Sequence, residues 1–196
     1  MEDIFEKILE KVKGRMGTDH LHGVGHVLRV YYFATKFGEK LHADMDVLKA
    51  AALLHDIARP LEDDDPNIDH ATLSAEIAKS ILEEVGFPKE KIEEVLHAIR
   101  SHRFKKGEKP KTLEAKILQD ADRLDALGAM GIFRTIYWSG TNKRSVEDTI
   151  KHFEEKILKL PELMNTEPGK RMAEERVKIV SEFVQALRAE LRRDSR

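Results

Sequence analysis

Apolar residues recur every three or four positions along almost the whole chain, and this helical period is the strongest constraint on its fold. Runs of alternating residues rich in valine, isoleucine and threonine, which are typical of strands, are not found. The sequence therefore predicts an all-α protein, folded as a compact helical bundle. Helices are expected over residues 3–13, 23–41, 45–58, 70–85, 89–102, 113–139, 146–160 and 169–193. The long segment has candidate break points at Gly128 and Gly131.

The length and charge of the chain limit its organisation and its partners. One hydrophobic core can serve 196 residues, so we predict a single domain over residues 1–196. Apolar residues make up 41% of the chain and charged residues 36%, which predicts a folded core beneath a strongly ionic surface. The net charge of -2 provides no general attraction to nucleic acid or anionic lipid, so neither is an expected partner. The acidic run from Glu62 to Asp65 is predicted to be a solvated loop without a catalytic role, with contact to a cation or a partner as the alternative.

Cysteine is absent, which excludes disulfides, thiolate metal sites and cysteine nucleophiles. A metal site in this chain would have only nitrogen and oxygen ligands. No apolar run approaches the ~20 residues that a membrane span requires. The first segment, MEDIFEKILEKVKG, is acidic and amphipathic rather than signal-like. We therefore expect a cytoplasmic protein with no membrane partner.

Histidine and aspartate interrupt two apolar helix faces. His26 lies at helical spacing from Val30 and Phe33, so it continues the inward face of the second predicted helix. His55 and Asp56 continue the apolar segment AALLHDIA of the third, and both lean towards the interior. Taken singly, such a histidine is more often a hydrogen-bonded core residue, and such an aspartate is more often a helix cap.

A third predicted helix carries two carboxylates on its apolar face. Asp122 and Asp125 are predicted to share a face with Ala115, Leu118 and Ala129. A buried, ionised carboxylate is costly unless a cation or several donors meet it. One shared metal ion would account for the inward polar residues of all three helices, whereas the alternatives must be invoked separately at each position.

The order and spacing of these residues resemble the HD superfamily of metal-dependent phosphohydrolases, which is named for an adjacent His-Asp pair. The early histidine of the pattern matches His26 in HGVGHVLRV, the pair matches His55 and Asp56 in AALLHDIA, and the late aspartate matches Asp122 in QDADRLDALGAMG. The tail HFEEKILKLPELMNTEPGKRMAEER resembles the branch that contains bacterial nucleotide pyrophosphohydrolases. The resemblance implies an HD-type helical bundle in which these four residues bind a metal ion.

The implied ligands are two imidazoles and two carboxylates, which suit Mn²⁺, Mg²⁺, Ni²⁺, Co²⁺, Fe²⁺ or Zn²⁺. We favour Mn²⁺. Four protein ligands leave about two positions of an octahedral ion open for water or substrate, as a hydrolytic site needs. Members of the superfamily with two ions have further ligands, for which only His70, His97 and His102 are available here. We therefore predict one divalent ion.

Five more candidate residues surround this quartet in the prediction. His102 resembles a histidine near the metal of many family members and is predicted to be catalytic, with a core hydrogen bond as the alternative. Asp125 is predicted to be catalytic too, either orienting water or substrate or fixing a histidine ligand. Arg29 is a candidate for substrate binding or for a structural ion pair. Arg103 and Lys106 lie in a basic segment that would attract a triphosphate or simply be solvated.

The resemblance predicts an enzyme that acts on a small nucleotide, with Asp56 serving both as ligand and as catalytic residue. Hydrolysis of a nucleoside triphosphate to monophosphate and pyrophosphate is the leading reaction, because of the branch resemblance. A nucleotide phosphomonoesterase is the alternative enzyme. A non-catalytic helical module that binds a nucleotide is the alternative from another class, and a nuclease is less favoured. The pattern specifies no oligomeric state.

Overall fold

A computed structural model describes residues 1–18, 21–65, 67–103 and 108–194. These residues contain α-helices and no strand, which confirms the all-α prediction. We number the helices α1 to α10 in chain order: Glu2–Arg15, Val24–Leu41, Met45–Leu54, Arg59–Asp64, His70–Glu84, Lys89–Ser101, Leu113–Leu124, Gly128–Thr141, Val146–Glu155 and Glu167–Asp194. A 3-10 helix, Ile157–Leu163, precedes α10. Among the described helices, none combines the length and the hydropathy needed to cross a bilayer.

The chain divides into two compact units, residues 1–122 and 123–196. In the first unit, α3 packs against both α2 and α6. Seven of the ten residues of α3 are buried, because the helix is apolar apart from Asp46 and Lys49, as expected for a central helix. Asp44 caps α3, since its carboxylate accepts hydrogen bonds from the backbone N–H groups of Asp46 and Val47. The turn that follows this central helix holds His55 and Asp56.

Helix α2 has the predicted inward face. His26, Val30, Phe33 and Phe37 are all buried. At Gly38 the helix passes so close to α3 that a Cβ atom would lie 2.4 Å from Cδ2 of Leu48.

A network of ion pairs and hydrogen bonds connects the starts of α3, α6 and α7 at one end of the first unit. The Lys91 ammonium lies 2.7 Å from Asp44 Oδ2 and 2.8 Å from Asp46 Oδ2. The Glu114 carboxylate accepts a hydrogen bond from the backbone N–H of Asp44. This network holds α6 and α7 against the helix that leads into His55.

The segment after Asp56 differs from the prediction in two ways. The helix expected over residues 45–58 ends at Leu54, and a separate short helix, α4, follows a turn. Most of the acidic run lies in α4, so the predicted loop is wrong, although Asp64 and Asp65 are exposed as expected. Pro60 begins this helix in its first turn, where a missing N–H costs no hydrogen bond. The consequence is that Glu62 points inward, with only 11% of its side chain exposed.

The long helix predicted over residues 113–139 is interrupted at one of the expected glycines. Helix α7 ends at Leu124, and α8 begins at Gly128, whose φ of +71° favours glycine. Because of this break, Ala129 is exposed and does not share a face with Asp122, which corrects the predicted stripe. Asp125 lies in the turn rather than on the helix.

In the second unit, α10 packs against α8 and against the 3-10 helix. The helix expected over residues 146–160 ends at Glu155, and the chain continues as the 3-10 helix. Two arginines donate hydrogen bonds to backbone carbonyls within this unit: Arg176 to that of Leu127, and Arg123 to that of Leu163. At Gly131, a Cβ atom would lie 2.1 Å from the carbonyl oxygen of Ala126.

Candidate metal centre

The first group of donors joins α2 to the turn after α3. Nε2 of His26 and Nε2 of His55 are 3.3 Å apart. Oδ2 of Asp56 lies 3.5 Å from the first of these nitrogens and 3.8 Å from the second. Asp122 approaches from α7, with Oδ1 3.4 Å from Nε2 of His26, and its side chain is 30% exposed. The structure thus brings the four predicted ligands together, with Asp122 at the accessible edge.

A second group of donors shares Asp56 with the first. Oδ1 of Asp56 lies 3.2 Å from Nε2 of His70, at the start of α5, and 3.4 Å from Nε2 of His102, at the end of α6. The two imidazole nitrogens are 3.3 Å apart. We call the set Asp56, His70 and His102 the second trio, and His26, His55 and Asp56 the first trio. All members of both trios are buried.

Hydrogen bonds on the far side of the rings decide which ring nitrogen carries the proton. Nδ1 of His55 lies 2.9 Å from the carbonyl oxygen of Ala52, and Nδ1 of His102 lies 2.6 Å from that of Ile99. A carbonyl oxygen only accepts, so each Nδ1 is a donor. In a neutral ring, Nε2 is then an acceptor. That of His55 lies beside His26 and Oδ2 of Asp56, and that of His102 lies beside His70 and Oδ1 of Asp56.

His70 has the same arrangement, with a carboxylate as its partner: Nδ1 donates to Oε2 of Glu62 over 2.6 Å. Two acceptor nitrogens, from His70 and His102, therefore meet beside Oδ1 of Asp56. This oxygen is buried and has no hydrogen bond of acceptable geometry with any described residue. Buried acceptors at such distances repel one another unless positive charge lies between them. Imidazole nitrogen and carboxylate oxygen are suitable ligands for a divalent cation, so the residues fit the implied metal.

The pKa shifts at the centre agree with this need for positive charge. Burial lowers the pKa of His55 to about 4, so the ring is neutral and free to act as a ligand at neutral pH. Burial alone would raise the pKa of Asp56, but the surrounding imidazoles outweigh it and hold the pKa well below its usual value. Burial would lower the pKa of His102, yet the adjacent Asp56 carboxylate raises it. The field at Asp56 therefore stabilises cations.

The other predicted site residues have different surroundings. Arg29 is half-buried on α2, and its guanidinium lies beside Gly25, with Nη1 3.4 Å from the position of a Cβ atom there. Asp125 is fully buried in the second unit, where its Oδ2 accepts a hydrogen bond of 2.6 Å from Arg134. Lys106 lies outside the described residues.

Arg103 is engaged by two carboxylates of the first unit. Its Nη1 donates to Glu62 over 2.7 Å and to Asp69 over 3.0 Å. Its side chain is 28% exposed. These two bonds hold the guanidinium of Arg103, the residue after His102, beside Glu62.

The prediction named His70 only as available to a second ion, and it gave the acidic run that contains Glu62 no catalytic role. His70 belongs to the second trio, and Glu62 reaches His70 because α4 packs against α5. One signal was present in the sequence: Arg59-Pro60 is typical of a helix start, and a helix places Glu62 on its inner face. The acidic neighbours of Glu62 hide that signal, because such runs are usually solvated.

The family model described as HD domain matches residues 23–127, which is more than half of the chain. The chain belongs to the HD domain family. The matched segment contains both trios and Asp122. Together with structural neighbours named HD-superfamily hydrolases, this membership makes the HD protein a metal-dependent phosphohydrolase.

Two relatives resemble the HD protein over nearly its full length. YpgQ of Bacillus subtilis, an uncharacterized protein, is 34% identical over 87% of this chain and 84% of its own. Its crystal structure has a TM-score of 0.80 and covers 96% of both chains, and its crystal structure in complex with ADP has a TM-score of 0.79 at 30% identity, over 96% and 95%. A predicted HD superfamily hydrolase from an uncultured Thermotogales bacterium is 36% identical, with a TM-score of 0.70 over 97% and 92%.

A third relative is larger. Ribonuclease Y of Desulforudis audaxviator is 29% identical over 164 residues, which are 82% of the HD protein and 27% of the ribonuclease. The HD protein therefore corresponds to about a quarter of that relative.

Proposed function

We propose that the HD protein hydrolyses phosphoanhydride bonds of small nucleotides, converting nucleoside triphosphates to monophosphates and pyrophosphate. In this reaction, water adds to the α-phosphorus and pyrophosphate leaves. The observation that carries the proposal is the meeting of acceptor nitrogens at Asp56, where buried ligands demand a cation. The ADP complex of YpgQ supports a nucleotide as substrate. The branch-like tail sequence supports pyrophosphate as the product.

We propose that His26, His55, Asp56 and Asp122 hold one divalent ion, for which Mn²⁺ is our first choice. A cation at such a centre supplies positive charge to a phosphoryl group and lowers the pKa of water. The second trio offers a further position, so the number of ions bound per chain tests the single-ion prediction. We keep residues 1–196 as one domain in this proposal.

The remaining roles belong to side chains of the chain itself. His102 lies against Asp56 and is our candidate for contact with the reacting phosphate. Arg29 and Arg103 are the proposed partners of the other phosphate oxygens, together with Lys106. Asp125 is a weaker catalytic candidate than His102, because Arg134 already engages its carboxylate.

A product assay tests the proposed reaction. Purified protein is incubated with Mn²⁺ and a panel of nucleoside triphosphates, diphosphates and monophosphates, and pyrophosphate and orthophosphate are measured separately. We expect pyrophosphate and nucleoside monophosphate in equal amounts from a triphosphate, and no turnover by His55→Ala. Orthophosphate as the sole primary product would refute the proposal in favour of a phosphomonoesterase. Nucleotide binding without turnover would indicate a non-catalytic module.

Ribonuclease activity is a second candidate, favoured by the similarity to ribonuclease Y. Hydrolysis of an internal phosphodiester needs the same cation but a groove for the polymer. The net charge of -2 argues against such a groove. Digestion of a labelled single-stranded RNA under the same conditions decides the matter: cleavage at rates above those for triphosphates would replace our first proposal.

A further inference from the structure

Glu62 lies between His70, a member of the second trio, and two arginines. Its carboxylate contacts three donors: Nδ1 of His70 at 2.6 Å, Nη1 of Arg103 at 2.7 Å and Nη1 of Arg59 at 3.1 Å. It belongs to neither trio. Its carboxylate therefore reaches the centre only through other side chains.

The bond from His70 to Glu62 differs in kind from those of the other two rings. His55 and His102 each donate Nδ1–H to a carbonyl of the backbone just before them, so chain geometry alone fixes those rings. His70 is the first residue of α5, so no earlier turn of its own helix lies behind its ring. The acceptor comes instead from Glu62, eight residues earlier on α4. The orientation of one ligand ring thus depends on a side chain that substitution can remove.

We propose that Glu62 is a positioning residue, which holds the proton of His70 on Nδ1 and directs Nε2 at Asp56, so that the second trio can bind a cation. That cation would be a second one, beside the ion proposed for His26, His55, Asp56 and Asp122, and it would replace the single-ion prediction. This rests on the proposed metal-dependent function. A carboxylate behind a ligand imidazole fixes the ring and increases its basicity, and losing such a partner lowers metal affinity by about 10–100-fold. Without the carboxylate, either nitrogen of His70 can carry the proton. The ring then offers Nε2–H to Asp56 for part of the time, which blocks the ligand atom.

The second contact of Glu62 provides a matched control. Arg103 bridges Glu62 and Asp69, the residue before His70. Asp69 also accepts a hydrogen bond from Thr72. Asp69→Asn therefore removes a negative charge and weakens the Arg103 bridge at the same place, but it leaves the His70 to Glu62 bond intact. A change seen with Glu62 variants and not with Asp69→Asn reports that bond.

The experiment uses the full chain, freed of metal, in four forms: wild type, Glu62→Ala, Glu62→Gln and Asp69→Asn. The position of the proton on His70 is measured by ¹⁵N chemical shifts of the imidazoles at pH 7.5, and Mn²⁺ binding is measured by calorimetry. We expect wild type and Asp69→Asn to hold the proton on Nδ1. Glu62→Ala should show a mixture of both tautomers and a loss of Mn²⁺ affinity of about 10–100-fold at one position. Glu62→Gln keeps an acceptor oxygen, so it should keep the tautomer and lose less than about tenfold in affinity.

The two measurements separate the possible failures. Wild-type tautomers in Glu62→Ala, or equal losses in Glu62→Ala and Asp69→Asn, would overturn the positioning role even if the enzyme needs metal. Absence of Mn²⁺ binding by wild type would contradict the proposed function and the affinity effect, while the tautomer measurement on metal-free protein still decides what Glu62 does to His70. If Glu62→Ala does not fold, the role stands only if Glu62→Gln keeps the Nδ1 proton and Glu62→Ser loses it.

Discussion

Asp56 and Asp125 are both buried carboxylates, at 5% and 0% exposure, but different groups surround them. Asp56, in the first unit, faces four imidazoles and leaves one oxygen without a hydrogen bond of acceptable geometry to the described residues. Asp125, in the second unit, is paired with the guanidinium of Arg134 at 2.6 Å. The first environment is built from groups that carry positive charge only when protonated, and the second contains a permanent cation.

A buried aspartate in this chain obtains positive charge in one of two ways. An aspartate among apolar residues needs a positive partner, and the chain supplies one to Asp125 from nine residues further along. At Asp56 the chain supplies ligands instead, and we propose that a metal ion completes the charge. A buried carboxylate marks a metal site only when its neighbours are themselves potential ligands.

The largest expected effect comes from Asp56→Asn, which removes the ligand that both trios share. We expect turnover to fall by at least about 10³-fold, because a metal ion contributes several kcal/mol of charge stabilisation. Metal-free Asp56→Asn should melt below metal-free wild type, because the imidazoles that hold the pKa of Asp56 low also stabilise its charged form in the folded chain. Thermal melts with and without Mn²⁺ check this. A rise in Tm with Mn²⁺ equal to that of wild type would contradict a shared ligand.

A smaller effect is expected for Asp125→Asn, and it concerns the stability of the fold rather than metal binding. The variant leaves the guanidinium of Arg134 without its counter-charge and should lower the free energy of unfolding by about 3 kcal/mol. Mn²⁺ affinity should not change. Adding Arg134→Met should recover most of the loss, because a buried pair can be replaced by apolar groups. Urea denaturation measures all three; lost turnover at wild-type stability would instead support a catalytic Asp125.

The smallest effect concerns a titratable group outside both carboxylate sites. Burial, followed by the charges of Lys156 and Arg144, lowers the pKa of His152 to about 4 from an ordinary 6.5. Between these pH values the unfolded chain binds a proton that the folded chain does not, so the free energy of unfolding falls as the pH decreases from 6.5 to 4. Partial exposure limits this to about 1 kcal/mol. His152→Gln should flatten the fall by that amount in denaturation curves across the window; an unchanged slope would assign the acid sensitivity elsewhere.

Much of the first trio could be predicted because its geometry is local. His26 lies on a helical face that Val30 and Phe33 already define as inward. His55 and Asp56 follow an unbroken run of buried apolar residues from Ala50 to Leu54, so they had to lie near the core. Helical periodicity and the cost of burying charge were sufficient for these positions.

The rest depends on packing between elements, which periodicity does not describe. Glu62 reaches His70 only through the way α4 folds back on α5. The partner of Asp125 lies beyond a break in the helix, and an uninterrupted helix would have placed Ala129 on the same face. The sequence offered candidate break points there, but it did not show that Arg134 would be the residue that pairs with Asp125.

The missing side chain at Gly131 has an effect several residues away. A methyl group there would lie 2.1 Å from the carbonyl oxygen of Ala126, and backbone cannot move aside as a flexible side chain does. Helix α8 would have to lift from the preceding turn and carry Arg134 with it. Gly131→Ala, which adds no charge, would therefore separate the guanidinium of Arg134 from the carboxylate of Asp125.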